Sequence, residues 1–179
     1  VSLSNSSSFA TTLWSQFQTT SGWGTQVVGD FNGDGKADIA NYYAGNGTWW
    51  ISRSTGSSFS TSLWSQFQTT SGWTTQIVGD FNGDGKSDIG NFYTGNGTWW
   101  VCLSTGSSFP QSATWLTSFG SANYTTADFN GDGLTDAAYY DKPSGQVRYA
   151  ASTSAQFSAP TTLPVTFSLR STDDNIQVG

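Results

Sequence analysis

The sequence predicts an all-β protein built from tandem repeats. Three observations carry that reading: a composition poor in helix formers, a unit of about 50 residues that recurs, and one acidic loop in each unit. Glu and Met are absent, while Gly (21 residues), Ser and Thr are plentiful and aromatic residues make up 16% of the chain. Such a mixture disfavours helices and suits strands joined by tight turns.

Self-comparison shows the repeat. Residues 10–59 and 60–109 are identical at 39 of 50 positions. LWSQFQTTSGW recurs from Leu13 and Leu63, VGDFNGDGK from Val28 and Val78, and GNGTWW from Gly45 and Gly95. A third, diverged copy is offset by 48 residues and carries ADFNGDGLTD around Asp128. Within a unit, Val27 to Gly29 reads as a short strand leading into the acidic loop, and Ile39 to Tyr43 as a second. Gly45-Asn46-Gly47 signals a two-residue hairpin of the Asn-Gly kind. Thr48 to Ser54 reads as a third strand and Ser58 to Trp64 as a weaker fourth. Trp49 and Trp50 point to opposite faces of their strand, so that strand is covered on both sides. Four short antiparallel strands per unit, stacked face to face, is the make-up of a β-propeller blade. The chain then divides as one repeat domain over 1–179, with a partial blade at 1–22, blades at 23–72, 73–120 and 121–171, and a partial blade at 172–179. That amounts to about 3.5 blades.

Each acidic loop lies between the first and second strands of its blade and reads D-x-N-x-D-G-x-x-D. The first comprises Asp30, Asn32, Asp34, Lys36 and Asp38; the second Asp80, Asn82, Asp84, Lys86 and Asp88; the third Asp128, Asn130, Asp132, Leu134 and Asp136. Calcium takes six to eight hard oxygen ligands, and a tightly wound loop turns alternate residues inward. Positions 1, 3, 5 and 9 supply side-chain oxygens and position 7 a backbone carbonyl, which is why Lys or Leu is accommodated there. An EF-hand would need Glu at position 12 and helical flanks; here position 12 is Asn41, Asn91 or Tyr139, and the ninth-position Asp is expected to close the cage. Magnesium prefers fewer protein ligands in a stricter octahedron. The expectation is three Ca2+ sites.

The charge pattern agrees. Nine of the 12 Asp lie in these loops, and three divalent cations would cancel the formal net charge of −6. No basic stripe is present to meet nucleic acid, and no apolar run approaches the ~20 residues of a membrane helix. Cys102 is the only cysteine and reads as a small buried filler. Outside the loops only Asp141, Asp173 and Asp174 remain as acids, and there is no His. Neither a paired-carboxylate glycosidase nor a Ser-His-Asp hydrolase has its parts, so the chain is expected not to be an enzyme.

DFNGDGKAD followed by a strand, in units of this length, resembles the FG-GAP/VCBS repeat family, which includes the calcium-loop blades of integrin α-subunit propellers. The finer layout, a GW, the acidic loop and then GNGTWWISRSTGSSF, is similar to Psathyrella-type fungal lectins, seven-bladed propellers that bind N-acetylglucosamine. The resemblance implies a secreted, calcium-stabilised module with a carbohydrate or glycoprotein ligand; integrin-like protein adhesion, or an accessory domain of a secreted enzyme, are the alternatives. The third repeat keeps its acidic loop but has Ser121, Val147 and Arg148 where the others have Trp23/Trp73 and the pairs Trp49-Trp50 and Trp99-Trp100. The tryptophans are therefore dispensable to a blade. Trp23, Trp49, Trp73 and Trp99, or their neighbours, read either as interblade packing or as flat surfaces on which a sugar stacks. Asn5, Asn46, Asn96 and Asn123 each open an N-x-Ser/Thr sequon. Val1 to Ser4 aligns with Val101 to Ser104, and Ile176 to Gly179 with the strand before an acidic loop. Three and a half blades are too few for most closed propellers. Closure is expected from the remainder of a longer propeller or from a second copy of the chain.

Overall fold

The computed structural model describes residues 1–4, 7–14, 22–66, 73–110, 112–120 and 124–166. Ser121, Asn5, Asn123 and the segment 172–179 lie outside the described residues. The architecture is all-β, with no helix among the described residues.

A short hairpin of β1 (Ser2–Ser4) and β2 (Phe9–Thr11) precedes three four-stranded sheets. The first holds β3 (Trp23–Gly29), β4 (Asp38–Tyr43), β5 (Thr48–Ser54) and β6 (Phe59–Gln66). The second holds β7 (Trp73–Gly79), β8 (Asp88–Tyr93), β9 (Thr98–Cys102) and β10 (Ser112–Thr117). The third holds β11 (Tyr124–Ala127), β12 (Asp136–Asp141), β13 (Gln146–Ala150) and β14 (Thr161–Thr166). Each is an antiparallel meander in sequence order, and each acidic loop joins the first strand to the second. This is the blade pattern that the repeat predicts, and the blades do not close into a ring.

One local expectation is corrected. Tyr43 pairs with Thr48, so four residues, 44–47, make the turn instead of two. An Asn-Gly turn of the tight type needs φ > 0 at both residues. Only Gly47 adopts it (φ 71°), and the Gly47 N–H donates to the Tyr43 carbonyl at 3.0 Å.

The core lies between blades. Ala40, Trp49 and Ile51 of the first sheet meet Ile89 and Cys102 of the second; Ile77, Phe92, Trp99 and Val101 of the second meet Ala137, Tyr139 and Ala150 of the third. Each joint is closed at its outer rim by aromatic rings. Trp64 lies 5.2 Å from Phe109, and Trp115 5.3 Å from Phe157, centroid to centroid. The same pairing occurs once more, between Trp14 and Phe59 at 5.4 Å, with the Phe59 N–H donating to the Trp14 carbonyl. The β1–β2 hairpin therefore stands where the outer two strands of a preceding blade would stand.

The innermost strands β3, β7 and β11 touch in succession. They come close because glycine ends β3 and β7. A Cβ on Gly79 would lie 2.2 Å from Thr135 Cγ2, and one on Gly29 would lie 2.6 Å from Ser87 Oγ. At the two ends of the run the joint is open. Val28 is 63% exposed, whereas its counterpart Val78 packs against the core; Phe129 is 47% exposed, whereas Phe31 and Phe81 are fully buried.

Gly79→Ala is expected to force the second and third blades apart locally, costing about 1–3 kcal/mol as overpacking does. Thermal unfolding monitored by circular dichroism should show a melting temperature lower by several degrees.

Candidate functional site

The three acidic loops share one backbone. Two glycines in the left-handed region wind each loop: Gly33 and Gly35 (φ 74° and 83°), Gly83 and Gly85, and Gly131 and Gly133. The winding turns backbone N–H groups toward the first aspartate. Asp30 Oδ1 accepts from Gly33 (2.8 Å) and Asp34 (3.1 Å), and its Oδ2 from Gly35 (2.7 Å). Asp80 and Asp128 repeat the arrangement within about 0.2 Å. At Asp128 these N–H groups, that of Gly133 chiefly, hold the carboxyl below its ordinary range. Asn32, Asn82 and Asn130 each accept from the N–H two residues on. Asp34 Oδ1 accepts from the Lys36 N–H at 2.9 Å, and its Oδ2 pairs with the Lys36 ammonium at 3.0 Å, which lowers its pKa. Asp84 and Lys86 form the same pair at 3.0 Å. In the third loop Leu134 removes the ammonium, and Asn130 Nδ2 donates to Asp132 Oδ2 instead.

The ninth position differs from its expected role. Asp38, Asp88 and Asp136 are fully buried at the base of their loops. Asp38 Oδ2 accepts from the Phe31 N–H (3.2 Å) and Oδ1 from the Ser54 N–H (2.7 Å). Asp88 clamps Phe81 and Ser104 in the same way (3.0 and 2.8 Å), and Asp136 clamps Phe129 and Ser152 (3.0 and 2.8 Å). The residue is first a bracket tying the loop's second residue to the end of the third strand. At Asp38 and Asp88 each oxygen keeps a second lone pair for another partner, whereas Asp136 Oδ2 also accepts from the Tyr149 hydroxyl at 3.1 Å. Burial pushes the Asp38 carboxyl above its ordinary value and that of Asp88 up to about 7, and the facing carboxylates of the same loop add to both shifts.

The donor set is hard oxygen throughout and fits calcium in kind. Asp30, Asn32, Asp34 and Asp38 would hold the ion in the first loop, with their counterparts in the others. The carboxylates are not gathered around one point: among the described residues no three acidic, His or Cys side chains stand close enough together to cage an ion. Asp34 and Asp84 are turned to their lysines, and filling these loops requires those exposed side chains to rotate inward.

The tryptophans divide into two classes. Trp49 and Trp99 are fully buried in the interblade core, so neither ring has a face on which a sugar could stack; for these two the packing reading holds. Their neighbours Trp50 and Trp100 point the other way and are half-buried. Trp23 and Trp73 are also half-buried, each 5.2 Å from a tyrosine of the paired strand, Tyr43 and Tyr93 respectively. In the third blade Asp141 stands at the tyrosine position. Burial holds the Cys102 thiol far above its ordinary pKa, as suits an inert filler.

Reasoning from the sequence missed Ser54, Ser104 and Ser152. They recur with the same offsets of 50 and 48 as the loops, in RSTGSSF, LSTGSSF and ASTSAQF, and that recurrence was the available signal.

Stacked four-stranded sheets with an acidic loop after each first strand define this chain as a run of β-propeller blades. Residues 30–90, from the first loop through the second, match the FG-GAP-like repeat. Among solved structures the chain is similar to an Agrocybe aegerita lectin, described as recognising non-reducing terminal N-acetylglucosamine, with a TM-score of 0.62 and 21% identity. The match covers 77% of this chain and 37% of the lectin chain, so this chain spans little more than a third of that lectin. No curated protein matches it.

A pH dependence follows from Asp88. Its folded-state pKa of about 7 lies above the ordinary carboxyl value of 3.8, so the folded state holds the extra proton between those limits. The stability linked to that proton is complete below about pH 4 and is lost as pH rises through 7. With a chelator present, the native chain should therefore lose stability relative to Asp88→Asn between pH 4.5 and pH 7.5. Parallel melting temperatures for the two proteins across that range would contradict the assignment.

Proposed function

We propose that this chain is a calcium-stabilised, non-catalytic carbohydrate-binding module that works outside the cell. The observation that carries the sugar reading is the half-buried Trp–Tyr pair at one register in two adjacent blades: Trp23 with Tyr43 and Trp73 with Tyr93. Each leaves part of an aromatic ring open beside a strand rich in hydroxyl and amide groups. Sugars present C–H faces to flat rings and hydroxyls to such groups. The third blade, with Asp141, has no such pair. The likeness to a lectin recognising N-acetylglucosamine supports the reading and suggests N-acetylated sugars as first probes. Calcium at the level found outside cells suits loops of this type.

A glycan array in millimolar calcium tests this. Binding to a glycan should be lost in Trp23→Ala with Trp73→Ala while the far-ultraviolet circular dichroism is kept. Retained glycan binding in the folded double variant would remove the aromatic pairs from the site. Capture of a protein free of glycan, with an empty array, would favour adhesion over sugar recognition.

Closure belongs to the same proposal. The open joint at Val28 and the one at Phe129 are the two unlike halves of a joint that the chain makes twice internally. Further repeats of the same kind complete them, supplied by a longer chain or by a second copy of this one. Light scattering on residues 1–179 should give a dimer or higher oligomer; a monodisperse, folded monomer would contradict assembly of this segment with itself.

A further inference from the structure

The ninth-position carboxylates are joined to one another through a buried belt of hydrogen bonds. In the first joint, Ser104 donates its N–H to Asp88 Oδ1 (2.8 Å) and its Oγ–H to the carbonyl of Phe31 (2.6 Å). The Phe31 N–H in turn donates to Asp38. In the second joint, Ser152 donates its N–H to Asp136 (2.8 Å) and its Oγ–H to the Phe81 carbonyl (2.6 Å), while the Phe81 N–H donates to Asp88. The path Asp38–Phe31–Ser104–Asp88–Phe81–Ser152–Asp136 is thus unbroken across three blades, and all seven residues are buried.

A second set of bonds runs alongside. The Ser87 N–H, in the second loop, donates to the Asp30 carbonyl of the first at 2.7 Å, and the Thr135 N–H, in the third, donates to the Asp80 carbonyl at 2.8 Å. The position-7 side chain also leans over the loop before it: Lys86 lies over Gly33, and Leu134 over Gly83. Each of the first two loops is therefore held at its first and second residues by groups from the following blade. Among the described residues nothing holds Asp128 and Phe129 in that way, and the third loop is the most exposed of the three.

We propose that the loops bind calcium cooperatively, and that Ser104 and Ser152 are the positioning residues that transmit the coupling. This rests on the calcium reading above. An ion in the second loop fixes Asp88 and residue 87. Those groups, directly and through Ser104, fix the backbone that carries Asp30 and Asn32 in the first loop. The first loop then has less freedom to lose when it binds its own ion, and this is a coupling free energy between sites. The coupling is reciprocal by linkage. Because the belt stops at the third loop, that loop should be the weakest of the three.

The test is site-resolved. Amide hydrogen exchange of loop 30–38 is followed by mass spectrometry as calcium is added to the full chain. Disabling the second loop with Asp84→Asn should raise the calcium concentration that half-protects loop 30–38 by about fivefold or more. In a Ser104→Ala background the same Asp84→Asn change should move it by a clearly smaller factor, the direct Ser87–Asp30 bond carrying the rest, and an undiminished factor would overturn the role of Ser104. Ser152→Ala, read on loop 80–88 with the third loop disabled by Asp132→Asn, tests the other joint if Ser104→Ala does not fold. Calcium uptake by every loop with midpoints indifferent to Asp84→Asn would overturn the coupling and leave the calcium sites standing. No calcium uptake by the native chain would overturn both.

Discussion

Everything in this fold that can be called a site hangs on a buried carboxylate at the ninth position of each loop. Asp38, Asp88 and Asp136 have no solvent access and accept N–H bonds from two distant points of the same blade. Burying a carboxylate is costly unless its lone pairs are used. Here they are used to tie the loop's second residue to the end of the third strand. The loop cannot unwind without stranding that charge, so the first-position carboxylate and its ring of N–H donors are held in shape by a residue eight positions away. Opposing this, burial and, after it, the facing carboxylates of the same loop raise the cost of keeping the clamp ionised at Asp38 and Asp88. A cation in the loop would relieve that repulsion without disturbing the N–H bonds. On the proposed reading, protein clamp and ion would be complementary parts of one device.

The same clamp explains why blades stack. The end of the third strand, held by the aspartate, carries the serine that reaches the neighbouring blade's loop, and the inner-strand glycines let the loops approach closely enough for those bonds to form. Aromatic rims such as Trp64 with Phe109 seal the outer edge. In this chain the interblade joint contains both apolar core and loop-to-loop polar contacts. Recognition, where the aromatic pairs provide it, rides on a scaffold whose repeat is set by these joints.

Much of this was legible beforehand. The 50- and 48-residue offsets located the strands and loops because period-two patterning and turn chemistry are local properties of the chain. The Trp49-Trp50 alternation correctly placed one ring on each face. What local pattern cannot say is which face meets a neighbour, and so Trp49 and Trp99 looked like equal candidates with Trp23 and Trp73 until burial separated them. The turn at 44–47 was misjudged because Asn46-Gly47 suits a tight hairpin while the strands stop pairing at Tyr43 and Thr48. The ninth-position aspartates were assigned to an ion alone, since their partners Phe31 and Ser54 are far apart in sequence. Ser104 was overlooked because a serine in a serine-rich chain stands out only once its hydroxyl is seen to cross a joint.

The central claim is that calcium in the loops completes a clamp the protein has begun. Its most direct measurement combines metal content with thermal stability on one sample, stripped by chelator and then reloaded. Three calcium ions per chain, and a melting temperature that drops by more than about ten degrees on stripping and returns on reloading, are the predicted result. A stripped protein, verified free of metal, that melts at the temperature of the loaded one would contradict it.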